Sequence, residues 1–560
     1  MQKQDNFRIN IFLVCVLMVS SLILYRLFVL SYVRHSAYSR TALAQRENIN
    51  NILARGNIYL KNALSEELFL AATNRKFPLA YVVPSKVDWE NDIEAIENTA
   101  AIIGLDKDLI IKTISGKQDI SKVLKRKLTT EEAEKIKSSN LKGLGVSYEM
   151  DRFYPGRQLA ANTLGFLGYD QSGRSGQYGV EAYYDDELFG RNRLSSVLSD
   201  KNENENFARP QDVVLTIDKN IQDFAEDRLE NLIKKWDAQG GSVIIQDPQT
   251  GKILAMADRP SFDPNDYGES PLSYFLNRNI QGVFEPGSSF KPITMAMGLD
   301  LAKVTPQTTF TDVGFVDISG YKIKNFSERV FGVQTMSGVL ENSINTGAMF
   351  VQGLVGDDNF LNYIINMGFG QKTGIDLPGE VGGDITNLYS KRKINYLTAS
   401  FGQGIAVTSL QLINAYSAIA NGGKLMRPYV VEKIIKEGGS EEVTTPEVIS
   451  IPISEKTSAK LKSMLVSVVD NGFDKARIKG YDIAGKTGTA QIPDGKGGYT
   501  ENEYIHDFLG FAPAFDPKFV ILLKIDRPKG ITFAADSLSP TFRELTQFLI
   551  NYFKIPPTRQ

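Results

Sequence analysis

What most limits the fold of this chain is where its strand-like runs fall. Gly241–Gln246 (GSVIIQ) and Lys252–Ala257 (KILAMA) flank the turn-forming set Asp247-Pro248-Gln249-Thr250-Gly251 and so read as a hairpin. Asp507–Ala512 and Phe519–Ile525 (FVILLKI) form a second strand pair around Pro513–Lys518, near the other end of the chain. Val213–Ile217 reads as a strand, and Asp218–Lys235 as an amphipathic helix with Ile221, Phe224, Leu229 and Leu232 on one side. Pro540–Phe553 reads as a closing helix. Strands early and late around a helical middle predict an α+β domain whose sheet unites both ends of this stretch.

Upstream, residues 35–205 are mixed. Short extended pieces such as Leu79–Val83 alternate with charged helical stretches such as Thr129–Ser139. Ser199–Asp212 (SDKNENENFARPQD) is polar and lacks apolar periodicity, which predicts a linker or long surface loop and a domain boundary near 205. At the N-terminus, Ile9–Leu30 is apolar over a length that can cross a hydrocarbon core of about 30 Å. Lys3 and Arg8 precede it, favouring a cytoplasmic N-terminus, although Arg26, Arg34 and Arg40 lie on the far side. A cleaved signal peptide is the alternative, but Ala42-Leu43-Ala44 lies far beyond the apolar run for that processing. The expected division is an anchor over 1–34, one exported domain over 35–205 and a second over 206–560.

The rare residues exclude several chemistries. The 560-residue chain has one cysteine, Cys15, and two histidines, His35 and His506. An internal disulfide, a CxxC redox pair and a cysteine- or histidine-rich metal site are therefore excluded. A net charge of −2 gives no sign of a nucleic-acid binder. If the chain does acyl chemistry, its base is expected to be something other than histidine.

Three short motifs supply such chemistry. In Ser288-Ser289-Phe290-Lys291, a helical spacing of three puts the Ser288 hydroxyl and the Lys291 amine on one face. A helix N-terminus there disfavours a charged lysine and favours a developing oxyanion. The same pattern at Ser139/Lys142, Ser319/Lys322 and Ser390/Lys393 reads as solvated surface pairs. In Ser343-Ile344-Asn345, Ser343 can relay a proton, and the Asn345 amide can hold a substrate carbonyl and the lysine amine; taken alone, an S-x-N is as readily a helix cap. In Lys486-Thr487-Gly488-Thr489, a charge, two hydroxyls and a glycine against which a ligand backbone can lie suit a carboxylate. Lys372-Thr373-Gly374 has the same letters but sits in a turn-rich surface sequence and reads as structural.

Taken together as S-x-x-K, S-x-N and K-T-G in that order, the motifs form the signature of penicillin-binding proteins and serine β-lactamases. From about Arg152 onward the chain resembles class B penicillin-binding proteins. The resemblance is carried by RFYP at Arg152–Pro155, Gly179-Val180-Glu181, Gly241–Asn265, EPGSSFKP, FGQGIAVTSLQL at Phe401–Leu412, and AGKTGTAQ. Arg55-Gly56-Asn57-Ile58 matches a start motif of the family, but Tyr59-Leu60-Lys61 replaces the acidic-basic pair that often follows.

The resemblance implies an antiparallel-sheet transpeptidase domain of penicillin-binding/β-lactamase type, with flanking helices, on an elongated mixed α/β pedestal after one transmembrane helix. It implies Ser288 as acylated nucleophile, Lys291 as general base, Ser343 in the proton relay, Asn345 on the donor amide and Lys486 assisting the relay. Thr487, Gly488 and Thr489 would bind the terminal carboxylate, and the N–H groups of Ser288 and Thr489 would form the oxyanion hole. No cofactor is implied. The implied substrates are peptidoglycan stem peptides ending in D-Ala-D-Ala, with an amine acceptor on a neighbouring strand and β-lactams as inhibitors. The implied setting is the cytoplasmic membrane, with the catalytic domain outside and a membrane glycosyltransferase and division or elongation proteins as partners. Short loops around the site favour a septal over an elongation role. The rivals are a D,D-carboxypeptidase or β-lactamase, and a non-catalytic wall-binding scaffold or sensor.

Overall fold

The computed structural model describes residues 55–189 and 210–559, apart from 89, 116–120, 171–172, 319 and 496–497, together with Leu17, Met18, Ser20 and Ser21. The span expected over Ile9–Leu30 lies outside the described residues except for those four, and the polar segment 199–212 except for 210–212. Among the described residues no helix is long and apolar enough to cross a membrane.

The described residues from 55 onward fall into two compact units, 77–150 and 55–76 with 151–559. In the first, helices Ile93–Ile103, Lys107–Ile114 and Thr130–Lys137 pack through Ile96, Ile103, Ile110, Ile114 and Ile136 against Ala80, Val82 and Leu141. The charged stretch at 129 is helical because Thr129 and Glu132 form a reciprocal capping box ahead of it.

In the second unit, Ile58–Asn62 runs antiparallel to residues 65–72 and parallel to Asp212–Asp218, which pairs in turn with Val431–Ile435. Segments on both sides of the polar stretch near 205 thus share one sheet. A buried ion cluster ties three separate stretches together beside it. Glu181 accepts from Arg152 Nε at 2.7 Å and Arg55 Nε at 2.6 Å, and Tyr154 donates to it at 3.1 Å. Arg55 also reaches Asp185 at 2.7 Å, and Arg152 donates to Gly56 O at 2.7 Å. Burial alone would raise the Glu181 carboxyl, but the Arg152 and Arg55 charges outweigh it and hold it below the usual carboxylate range.

The rest of the unit is built from α1 (Lys219–Trp236), β1 (Gly240–Gln246), β2 (Ile253–Arg259), α2 (Lys291–Asp300), α3 (Asn345–Val355), α4 (Ser409–Ala420), α5 (Glu455–Gly472), β3 (Ala484–Pro493), β4 (Tyr499–Ala512), β5 (Phe519–Asp526) and α6 (Ala534–Tyr552). The five strands form an antiparallel sheet in the order β3-β4-β5-β1-β2, so the last strands made pair onto the first. Phe224 of α1 stacks on Phe548 of α6 at 4.2 Å, and Phe508 of β4 on Phe542 of α6 at 4.0 Å, so α1 and α6 cover one face. Strand alternation turns Lys486, Gly488 and Asp507 to the opposite face, towards α2, α4 and α5.

One expected boundary moves. The closing helix begins at Ala534, and Pro540 lies inside it. Proline removes one backbone hydrogen bond from a helix interior; burial of Leu538, Phe542, Leu545 and Leu549 offsets that loss. Glu181→Ala leaves two buried guanidiniums without their shared carboxylate and is expected to cost about 3–5 kcal/mol, read as a lowered thermal unfolding midpoint. Because the Glu181 carboxyl is depressed in the folded state, its contribution is present above the ordinary carboxylate range and lost as pH falls.

Candidate active site

Ser288 lies on a short 3-10 turn, Gly287–Phe290, that runs directly into α2. Gly287 takes φ +58°, and its N–H donates to Gly402 O at 3.0 Å. Gly402 sits at φ +83° so close that a Cβ there would lie 2.2 Å from Gly287 O. Two glycines thus let the Gly402 loop press against the serine turn, where any side chain would push it away. Tyr416 of α4 donates to Ser289 O at 2.6 Å, and Thr294 of α2 to Ser400 O at 2.7 Å, which fixes the turn from below.

The turn leaves Ser288 partly open to solvent and buries Lys291 almost completely. Lys291 Nζ lies 3.0 Å from Ser288 Oγ and 3.2 Å from Ser343 Oγ, and also donates to Ser343 O. Ser343 is held at φ +57° in the tight turn before α3, which aims both its oxygens at the lysine. On its other side Ser343 Oγ accepts from Lys486 Nζ at 3.0 Å. Lys486, on β3, is fully buried, with its ammonium 5.2 Å from the Phe473 ring. Three distant pieces of chain therefore meet around one hydroxyl.

Burial, and then the Lys486 charge, push Lys291 well below the usual lysine range. Burial lowers Lys486 to about 7 against the opposing pull of Asp507. A neutral amine 3.0 Å from a partly exposed serine hydroxyl is equipped to take its proton.

Asn345 begins α3 and lines the cleft, but its amide donates to Lys324 O at 3.1 Å. The expectation that it would also hold the lysine amine is not met, because Ser343 occupies that position. Thr487 and Thr489 line the cleft, and Thr489 Oγ1 accepts from Ala534 N at 3.1 Å, anchoring the strand to the start of α6. Gly488 lies where a Cβ would come 2.5 Å from Pro286 O, so a side chain there would drive the strand off the serine turn.

The cleft has a volume of about 810 Å³ and is walled by Lys324, Phe326, Gln403, Tyr499 and Phe533. Glu285, just ahead of the serine turn, accepts from Gly404 N at 2.9 Å and from Tyr499 OH at 3.0 Å, tying three walls together. Sequence reasoning missed Glu285, Tyr499, Phe473 and Asp507 as parts of the site; only the EPGS and GQG stretches hinted at the first. His506 is buried, bonded to Ser537 Oγ at 2.8 Å and pushed down to about 4 by burial, so it stays neutral. Lys372 is exposed while Thr373 is tied to Glu380, as a structural turn requires.

A serine on a helix-opening turn, a buried lysine beside it and a second lysine on the edge strand define a serine acyl-transfer enzyme without a histidine. Residues 241–547 match the penicillin binding protein transpeptidase domain, and residues 53–213 the penicillin-binding protein dimerisation domain. The chain is 36% identical to stage V sporulation protein D of Bacillus subtilis, over 87% of this chain and 76% of that one. It is 30% identical to the peptidoglycan D,D-transpeptidase FtsI of Escherichia coli, over 78% of this chain and 73% of that one. Its structure is similar to penicillin binding protein 3 of Mycobacterium tuberculosis complexed with aztreonam, with a TM-score of 0.66 and 29% identity over 73% of this chain and 92% of that one. The chain belongs to the class B penicillin-binding proteins.

Gly402→Ala is expected to displace the Ser288 turn and slow acylation by a penicillin about 10²-fold, with the far-ultraviolet circular dichroism of the protein unchanged.

Proposed function

We propose that this chain is a serine D,D-transpeptidase that cross-links peptidoglycan stem peptides. The observation that carries the proposal is the Lys291 amine 3.0 Å from Ser288 Oγ, buried and joined through Ser343 to Lys486. Ser288 Oγ attacks the carbonyl of the penultimate D-Ala of a donor stem peptide, and Lys291 takes the hydroxyl proton. The oxyanion rests on the N–H groups of Ser288 and Thr489, an arrangement that contributes about 3–4 kcal/mol in comparable enzymes. Thr487, Gly488 and Thr489 receive the donor's terminal carboxylate, and Asn345 its amide. A proton passes through Ser343 to the departing amine of the last D-Ala. Attack on the acyl-enzyme by an acceptor amine then forms the cross-link and frees Ser288. A β-lactam presents the same amide geometry and acylates the same oxygen.

In this reading residues 1–34 hold the chain in the cytoplasmic membrane by one helix, 35–205 form a pedestal, and 206–560 catalyse outside the cytoplasm. The apolar run Ile9–Leu30 supports the anchor. A septal role, with a membrane glycosyltransferase and division proteins as partners, is the setting we favour over elongation. It is tested by whether a fluorescent fusion gathers at division sites or along the side wall.

Mass spectrometry of the purified protein after exposure to penicillin is expected to find one adduct, on the peptide containing Ser288, and none in Ser288→Ala. An adduct elsewhere overturns the assignment. Lys291→Met is expected to slow acylation about 10²–10⁴-fold. The acylation rate of the unaltered protein should follow a bell-shaped pH profile. Its alkaline limb lies near pH 7, where Lys486 loses its charge, and its acid limb is set by Lys291, whose burial and neighbouring Lys486 charge depress it well below the usual lysine range.

A further inference from the structure

Behind the K-T-G strand lies a carboxylate that the proposed reaction does not use. Asp507 of β4 sits directly opposite Gly488 on one side and Lys524 on the other, and it is completely buried. A Cβ on Gly488 would come 2.4 Å from Asp507 Oδ2 and 2.5 Å from Pro286 O, so the carboxylate lies against the glycine and close under the turn that carries Ser288. Among the described residues neither oxygen has a partner in full hydrogen-bond geometry, although the backbone N–H of Gly488 is close enough to offset part of the cost of burial. Ser289 Oγ lies near enough to ease the burial, but its one proton goes to Pro286 O at 2.8 Å.

The groups that face Asp507 can be named element by element: Lys486 from β3, Lys524 from β5, Ser289 from the serine turn and Tyr416 from α4. Tyr416 spends its hydroxyl proton on Ser289 O. Lys524 is bound to Asp526 at 2.5 Å. Among the described residues Lys486 has no carboxylate other than Asp507 acting on it, and Lys291 has none.

Two buried amines that share one hydroxyl hold one positive charge between them far more easily than two. We propose that Asp507 is a positioning residue that keeps this charge on Lys486 and thereby leaves Lys291 as the neutral amine beside Ser288. Which of the two lysines serves as base is decided from behind the strand. Burial pushes the Asp507 carboxyl itself up to about 7 against the pull of Lys486 and Lys524, so its charge depends on both.

The inference rests on the reading of Ser288 and Lys291 given above, and one experiment separates the two. The second-order rate of acylation by benzylpenicillin is measured from pH 4 to 10 in the full chain, in Asp507→Asn and in Lys524→Met. Removing the Asp507 charge lets Lys486 lose its proton more readily, so the alkaline limb in Asp507→Asn is expected to move about one pH unit or more to lower pH. Removing the Lys524 charge makes Asp507 take up its proton at higher pH and loosens its hold on Lys486, so the alkaline limb in Lys524→Met moves to lower pH as well. A purely structural role lowers the rate at every pH and moves neither limb, and that result overturns the inference. Should Asp507→Asn not fold, Lys524→Met decides alone, and an unmoved alkaline limb is fatal. Absence of a Ser288 adduct in the unaltered protein would instead overturn the underlying assignment.

Discussion

One hydroxyl organises the interior of this enzyme. Ser343 Oγ lies 3.2 Å from Lys291 and 3.0 Å from Lys486, and both amines are buried. In water two ammonium groups at that distance repel weakly; out of water they cannot both keep their protons without a large cost. The rest of the architecture supports that enforced inequality. The glycine pair 287/402 seats the serine turn, the left-handed Ser343 aims two oxygens at one lysine, and Phe473 offers a ring face to the other. Glu285 and Tyr499 close the cleft around them. On the proposed reading, catalytic competence comes from withholding solvent from a pair of ordinary side chains.

Much of the fold could be read from local signals. The hairpin at 240–259 follows from its Asp-Pro-Gln-Thr-Gly turn between apolar runs, and α1 from the spacing of Ile221, Leu229 and Leu232. The closing helix starts six residues before the expected Pro540, because its buried face, invisible in the local sequence, extends it back to Ala534. The span at Ile9–Leu30 lies outside the described residues, apart from four of them, and remains an expectation.

The site was legible where its chemistry sits in short motifs and hidden where it depends on pairing. Ser288, Lys291, Ser343 and Lys486 stand out because each motif has an unusual set of residue types. Asp507 stands opposite Gly488 only through strand register, and Glu285 meets Tyr499, at the start of β4, only through a contact between residues 214 positions apart. The positive φ of Ser343 has no sequence cue, since most serines avoid that region. Asn345 shows the converse: its type was noticed, but the lysine contact expected of it belongs to Ser343.

The strand order β3-β4-β5-β1-β2 has a consequence for how the enzyme comes into being. A ribosome delivers Ser288 and Lys291 well before β3, β4 and β5, and the second lysine must then travel back to dock against a turn made much earlier. Until β5 zips onto β1, the early lysine has neither its buried pocket nor its counterpart, and it behaves as an ordinary solvated cation. On the proposed reading half-made chains are silent towards cell-wall peptides and antibiotics alike, and reactivity switches on only as the stretch from Ala484 onward closes the sheet.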